Sequence, residues 1–176
     1  KSLTLAQCMQ DKGQLISGEF VPGRVSLLRK AFDRCGVHCA EALQNDATVP
    51  RPAWGTFDRV LCDVPCSGLG VIAKKPDIRC KDLAGMENLL QTQQKILQNG
   101  ADSLAKNGRL VYSTCTVNRD ENERQVQKFL TANPNFTLAA PPMAYPGAVD
   151  TGFGTLFLPH KTHTDGFFVA ILQKNH

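Results

Sequence analysis

An α/β fold, with a mostly parallel sheet closed by an antiparallel final hairpin, is the class this sequence predicts. Two observations carry it. Short apolar runs of strand-like composition alternate with longer segments whose apolar residues recur at helical spacing, and only at the end do two strand-like runs stand together. The acidic, cysteine and threonine residues worth examining fall just past the strand-like runs, and open α/β sheets bind their ligands beyond the carboxyl ends of the strands.

The elements follow in order. Residues 2–11 place Leu3, Leu5, Ala6 and Met9 at helical spacing, with Gly13 to close the helix. "QLISGEF" (14–20) reads as a short strand ending at an acidic residue, Glu19. "GRVSLLRKAFDRCG" (23–36) puts Val25, Leu28, Ala31 and Phe32 on one helical face. "VHCAEA" (37–42) is a weak strand carrying Glu41, followed by a polar, proline-bearing loop from Asn45 to Pro52. "FDRVLCD" (57–63) reads as a buried strand ending at Asp63. From Met86 to Lys106, Leu89, Leu90, Ile96, Leu97, Ala101 and Leu104 form a helical stripe that Asn107-Gly108 should end. "RLVYST" is then a strand, and "RDENERQVQKFLTAN" (119–133) a helix with acidic residues in its first turn, where the helix dipole favours them. "FTLAA" (136–140) is a short strand, "PPMAYPGAVDTGFG" (141–154) a loop and "GFFVAILQK" (166–174) the closing strand.

Composition excludes several classes. The 176 residues, 42% hydrophobic and 20% charged, suit one soluble domain that buries a sizeable core. No apolar stretch is long enough for a membrane span, and the N-terminal residues lack a signal-peptide core. A net charge of +4 is compatible with nucleic acid without arguing for it. Seven cysteines, an odd number at irregular spacing with no CxxC pair, suit reduced thiols in the cytosol rather than a disulfide framework. The four histidines do not follow the cysteines at finger spacing, so no metal is expected; His160 and His163 stand in a loop without further ligands. Most of the cysteines, Cys62 within its strand above all, read as small core residues.

Three separated segments carry something more specific. "DVPCSGLGVIAKKPDIR" (63–79), "YSTCTV" (112–117) followed by "ENE" (121–123), and the closing "DGFFVAIL" (165–172) stand in the order found in RNA cytosine-5 methyltransferases of the Sun family. The chain resembles that family over essentially its whole length. The resemblance implies a Rossmann-like class I fold, S-adenosylmethionine as methyl donor and RNA, in particular small-subunit ribosomal RNA, as substrate. It implies Cys115 as the nucleophile, Cys66 as the thiol that assists breakdown of the covalent adduct, and Asp63 as the group facing the base and the cofactor's reactive end. Glu19 is expected to accept from the cofactor ribose, where the family more often has Asp. Glu41 is expected near the adenine, with Asp46 as the alternative if the strand boundary lies elsewhere. Lys74, Lys75, Arg79 and Lys81, which follow the first cysteine turn, are expected to contact RNA phosphates.

The chemistry needs such an arrangement on its own account. Carbon 5 of cytosine is a poor nucleophile until a thiolate adds to carbon 6, so covalent catalysis by an activated cysteine with acid–base help is required. Without the resemblance, a buried cysteine in a strand-to-helix turn is the simpler account of Cys115. The chain begins "KSLTLAQ", which looks like the end of the family's first cofactor loop. The strand and glycines before it are therefore expected to lie outside this chain, leaving inner strands unpaired and the chain by itself inactive. Two rival readings are a non-catalytic ribosomal RNA-binding domain and an amino-group methyltransferase. The latter calls for an aromatic residue where Cys66 stands.

Overall fold

Proline and glycine set the limits of the first elements. In a computed structural model that describes residues 1–80 and 84–175, the chain forms two units, Lys1–Val49 and Pro50–His176. In the first, α1 (Ser2–Cys8) leads to β1 (Leu15–Glu19), α2 (Pro22–Cys35) and β2 (Ala40–Gln44). Pro22 opens α2 at a position where its missing N–H costs nothing, and Gly36 closes it in the left-handed conformation (φ 62°). β1 and β2 pair in parallel, from Leu15 opposite Ala40 to Glu19 opposite Gln44. Val25 and Phe32 of α2 and Ala42 of β2 form a small buried cluster.

The second unit holds β3 (Phe57–Asp63), α3 (Met86–Asp102), β4 (Leu104–Thr114), α4 (Glu123–Ala132), β5 (Phe136–Leu138), β6 (Val149–Asp150), β7 (Thr155–Phe157), α5 (Pro159–Thr162) and β8 (Phe167–Lys174). The sheet order is β3-β4-β8-β7-β6, with β5 also on β8. β3 and β4 run parallel, joined by α3, and β8 is antiparallel to β4. One side of β8 takes β4; the other takes β5 against Leu172–Lys174 and β7 against Phe167–Val169. The core under this sheet includes Leu97, Leu104, Leu110, Tyr112, Phe129, Phe168 and Leu172. Gly100 lets α3 close onto β3: a Cβ there would lie 2.5 Å from the Cys62 sulfur.

The α/β class and the antiparallel last strand stand as expected, and the differences are local. α3 ends at Asp102, four residues before the expected Lys106, because Leu104 is needed as a fully buried strand residue opposite Phe57. Asn107 then takes a left-handed conformation (φ 59°) inside β4, where the register against β3 shifts. α4 starts at Glu123, not Arg119, so Asp120 and Glu121 lie in the turn before it. β6 arises within the expected 141–154 loop, and β7 follows it on the edge of β8. Among the described residues β1 pairs only with β2, and β3 only with β4. No helix among them is long and apolar enough to cross a membrane.

Candidate active site

Parallel pairing of β3 and β4 brings the two cysteine turns together. Asp63 lies opposite Ser113 in the register, and Ser113 Oγ donates to Asp63 Oδ1 at 2.9 Å. Past these residues the two chains stay in step: Val64 N donates to Ser113 O at 3.1 Å and Gly70 N to Cys115 O at 3.0 Å. The Cys66 and Cys115 sulfurs consequently lie 2.9 Å apart, and both thiols remain half-exposed. Cys66 holds its proton well above the usual thiol range, chiefly because it hydrogen-bonds Cys115, with burial and the neighbouring sulfur's charge adding to the effect.

The turn after β3 folds tightly for a visible reason. Gly68 is left-handed (φ 80°), and Gly70 packs so closely on the turn before β8 that a Cβ would meet Gly166 O at 2.0 Å. Gly166 N donates to Gly70 O at 2.7 Å, and Lys74 Nζ bonds Asp165 Oδ2 at 2.7 Å. The closing Asp165-Gly166 pair thus braces the first cysteine turn. Lys74, expected on RNA, spends its ammonium on that contact. Lys75 and Arg79 are exposed, and Lys81 lies outside the described residues.

A buried polar network sits beneath the sulfurs. Glu121 is fully buried, and its carboxylate accepts from Ser67 N (2.8 Å), Ser67 Oγ (2.5 Å), Gln93 Nε2 (3.0 Å) and Asn118 Nδ2 (3.3 Å). Ser67 Oγ also meets Thr116 Oγ1 at 2.8 Å, and Gln93 donates to Pro65 O at 2.9 Å. Sequence reasoning passed over Ser67, Gln93 and Glu121. Gln93 stands midway between Leu89 and Leu97 on the apolar stripe of α3. A polar residue at such a position needs buried partners, and that was a usable signal. Glu121 falls within the ENE segment that carries the resemblance, but without a role of its own, because as a residue it reads as an ordinary first-turn acid.

The carboxylates of the first unit are placed unequally. Glu19 ends β1, with Oε1 accepting from Val21 N at 3.1 Å and Oε2 3.6 Å from Arg24. Glu41 is not past a strand end. β2 runs on to Gln44, which pairs with Glu19 of β1, so Glu41 sits about 10 Å back along the strand. There it lines a shallow pocket with Arg29, Phe32 and Asp33. Asp46 is the acid beyond the end of β2, held by Thr48 N at 2.9 Å and Thr48 Oγ1 at 2.7 Å. Trp54 lies in a short 3-10 turn, Pro52–Trp54, and among the described residues no group of three metal-ligating side chains gathers.

Known proteins share this architecture. The family model described as 16S rRNA methyltransferase RsmB/F matches residues 1–173. A probable ribosomal RNA small subunit methyltransferase B from Synechocystis is 36% identical over 181 residues, covering 99% of this chain and 40% of the relative. A ribosomal RNA small subunit methyltransferase F from Cronobacter sakazakii is 35% identical, covering 99% of this chain and 38% of the relative. The crystal structure of NSun6 from Pyrococcus horikoshii with SFG superposes with a TM-score of 0.88 at 29% identity, over 99% of this chain and 44% of that one. The chain thus spans about two fifths of the length of these curated relatives. With the match running over residues 1–173 and relatives above 30% identity along the same span, this chain belongs to the 16S rRNA methyltransferase RsmB/F family.

Proposed function

We propose that the chain supplies the catalytic cysteines of an S-adenosylmethionine-dependent RNA methyltransferase, acting on carbon 5 of a cytidine in 16S ribosomal RNA in the cytoplasm. The observation that carries the reading is the pair of half-exposed thiols 2.9 Å apart at adjacent strand ends. A lone structural cysteine has no use for such a partner.

The raised proton affinity of Cys66 supports a division of roles between the two thiols. Cys115, as thiolate, adds to carbon 6 of the cytosine, forming a carbon–sulfur bond and making carbon 5 nucleophilic. Asp63, at the end of β3, hydrogen-bonds the base's amidine edge. S-adenosylmethionine, when bound, supplies the methyl group that carbon 5 takes. A base removes the carbon 5 proton, the carbon–sulfur bond breaks, and the electron pair returns to Cys115. Cys66 keeps its proton through these steps and can deliver it to the departing thiolate, which is the assistance adduct breakdown needs.

The donor set fits the methyl donor. Glu19 offers an acceptor for ribose hydroxyls and Asp46 one for the adenine amine, each at the carboxyl end of its strand. Asp46 takes the place first given to Glu41. NSun6 from Pyrococcus horikoshii was solved with SFG, an S-adenosylmethionine analogue, which supports the choice. Lys75 and Arg79 are exposed beside the first cysteine turn and suit phosphate contacts. The target cytidine has to be unstacked, because carbon 6 is out of reach inside a helix. The test is to challenge the protein, expressed at its natural length, with RNA carrying 5-fluorocytosine and S-adenosylmethionine. The stalled covalent adduct should form in wild type and in Cys66→Ala and be absent in Cys115→Ala; the reverse pattern would exchange the two roles.

A further inference from the structure

Given the methyl-transfer reading of the cysteine pair, we infer that Glu121 is a positioning residue that fixes the distance between the two cysteine turns through Ser67. Ser67 follows Cys66 in the chain and Thr116 follows Cys115, so a bond between these two hydroxyls spans the two turns one residue behind the thiols.

Glu121 gives that bond a direction. An ionised carboxyl only accepts, so the Ser67 hydroxyl must donate to Glu121 Oε1, and its oxygen is left to accept from the Thr116 hydroxyl. The Ser67 N–H donates to the other oxygen, Oε2, which fixes the Cys66–Ser67 peptide as well. Gln93, reaching in from α3, binds the same Oε2 and the carbonyl of Pro65, the residue before Cys66. The peptide on each side of Cys66 is therefore held.

Glu121 is itself anchored from the second cysteine turn. Tyr112 Oη donates to Glu121 O at 2.7 Å, while Asn122 accepts from Thr114 Oγ1 at 2.6 Å and donates to Thr116 O at 3.0 Å. One buried carboxylate thereby joins the turn after β3, the turn after β4 and helix α3. A carboxyl wholly removed from water is tolerable because each of its oxygens accepts two hydrogen bonds.

Three substitutions separate this role from a merely structural one. Ser67→Ala removes the hydroxyl bridge and leaves the carboxylate its other donors. Glu121→Ala removes every acceptor. Glu121→Gln keeps an acceptor for Ser67 N, and the Ser67 hydroxyl can turn to accept from the new amide. The readout is alkylation of Cys66 by iodoacetamide at pH 8, mapped by peptide mass spectrometry against exposed Cys8 as the internal reference. Once the two sulfurs are no longer held together, Cys66 loses the contact that keeps it protonated. Its relative rate should rise about tenfold in Ser67→Ala and Glu121→Ala and stay within about twofold in Glu121→Gln. With 5-fluorocytosine RNA omitted and ordinary cytidine RNA supplied, the same two variants should accumulate covalent protein–RNA complex, since adduct release suffers more than its formation. An unchanged Cys66 rate in Ser67→Ala and Glu121→Ala would overturn the inference, even if their melting temperatures fall. If Glu121→Ala fails to fold, Ser67→Ala decides. Absence of any adduct in wild type would instead sink the methyl-transfer reading, while the alkylation arm still judges the clamp.

Discussion

The acids of the first unit and the thiols of the second sit in contrasting surroundings. The Glu19 carboxylate meets Val21 N and Arg24, and the Asp46 carboxylate meets Thr48, all near neighbours in the chain. Cys66 and Cys115 stand over a buried set of Ser67, Gln93, Thr116, Glu121 and Asn122, whose partners come from three distant segments. The core beneath follows the same division. Three buried residues, Val25, Phe32 and Ala42, anchor the first unit, whereas β3, β4, β8, α3 and α4 all contribute to the second. A covalent step needs its atoms fixed within a few tenths of an ångström, so its turns are locked into a rigid frame. A carboxylate that receives a ribose or an amine tolerates local support and partial exposure.

Gly70→Ala should break the locked region most severely. Its Cβ would meet Gly166 O at 2.0 Å and Cys115 O at 2.8 Å, both backbone atoms with nowhere to move. A loss of about 3 kcal/mol or more is expected by thermal denaturation, with the adduct abolished. An alanine at Gly23, which has no atom within 4 Å of the built Cβ, is the contrasting control in the first unit.

Cys62 sharpens the comparison through pH. Burial against α3 pushes its thiol from 9.0 up to about 12. Below pH 9 it is neutral in folded and unfolded chains alike; above that, the unfolded chain loses the proton first. Stability should therefore fall as pH rises from about 9 towards 12, by up to about 4 kcal/mol for a shift of this size. Cys62→Ala should flatten that alkaline limb in chemical denaturation at pH 8, 9.5 and 10.5. An unchanged slope would mean that Cys62 is more hydrated than its burial indicates.

The smallest effects belong to the exposed cations. Lys75→Ala and Arg79→Ala should each lower the slope of log affinity for RNA against log salt by about 1 and leave the thiol chemistry intact. Lys74→Ala should act differently, because its ammonium is engaged with Asp165: weaker bracing of the first cysteine turn, and a salt slope that moves less.

The sequence carried most of the fold because its signals are periodic. The α2 and α3 stripes and the β3, β4 and β8 runs lie where alternation and apolar spacing placed them. Boundaries failed where a tertiary demand outweighed local pattern. Leu104 left a helical stripe to become a buried strand residue, and pairing with β1 carried β2 onward to Gln44, which took Glu41 off the strand end. At the site, Cys66 and Cys115 were legible because each follows a strand. Ser67, Gln93 and Glu121 were not, because a buried network depends on partners 28 and 54 residues away that local sequence does not show. In the sequence the closing Asp165-Gly166 pair shows only a likeness to a family pattern; its physical task, bracing Gly70 and Lys74, depends on the packing.

The most direct measurement is to digest the stalled adduct with 5-fluorocytosine RNA and identify by mass spectrometry which cysteine carries the nucleotide. The nucleotide should be found on the Cys115 peptide, with Cys66 unmodified. A nucleotide on Cys66 would contradict the division of labour drawn from the 2.9 Å thiol pair and place the attacking sulfur on the other strand.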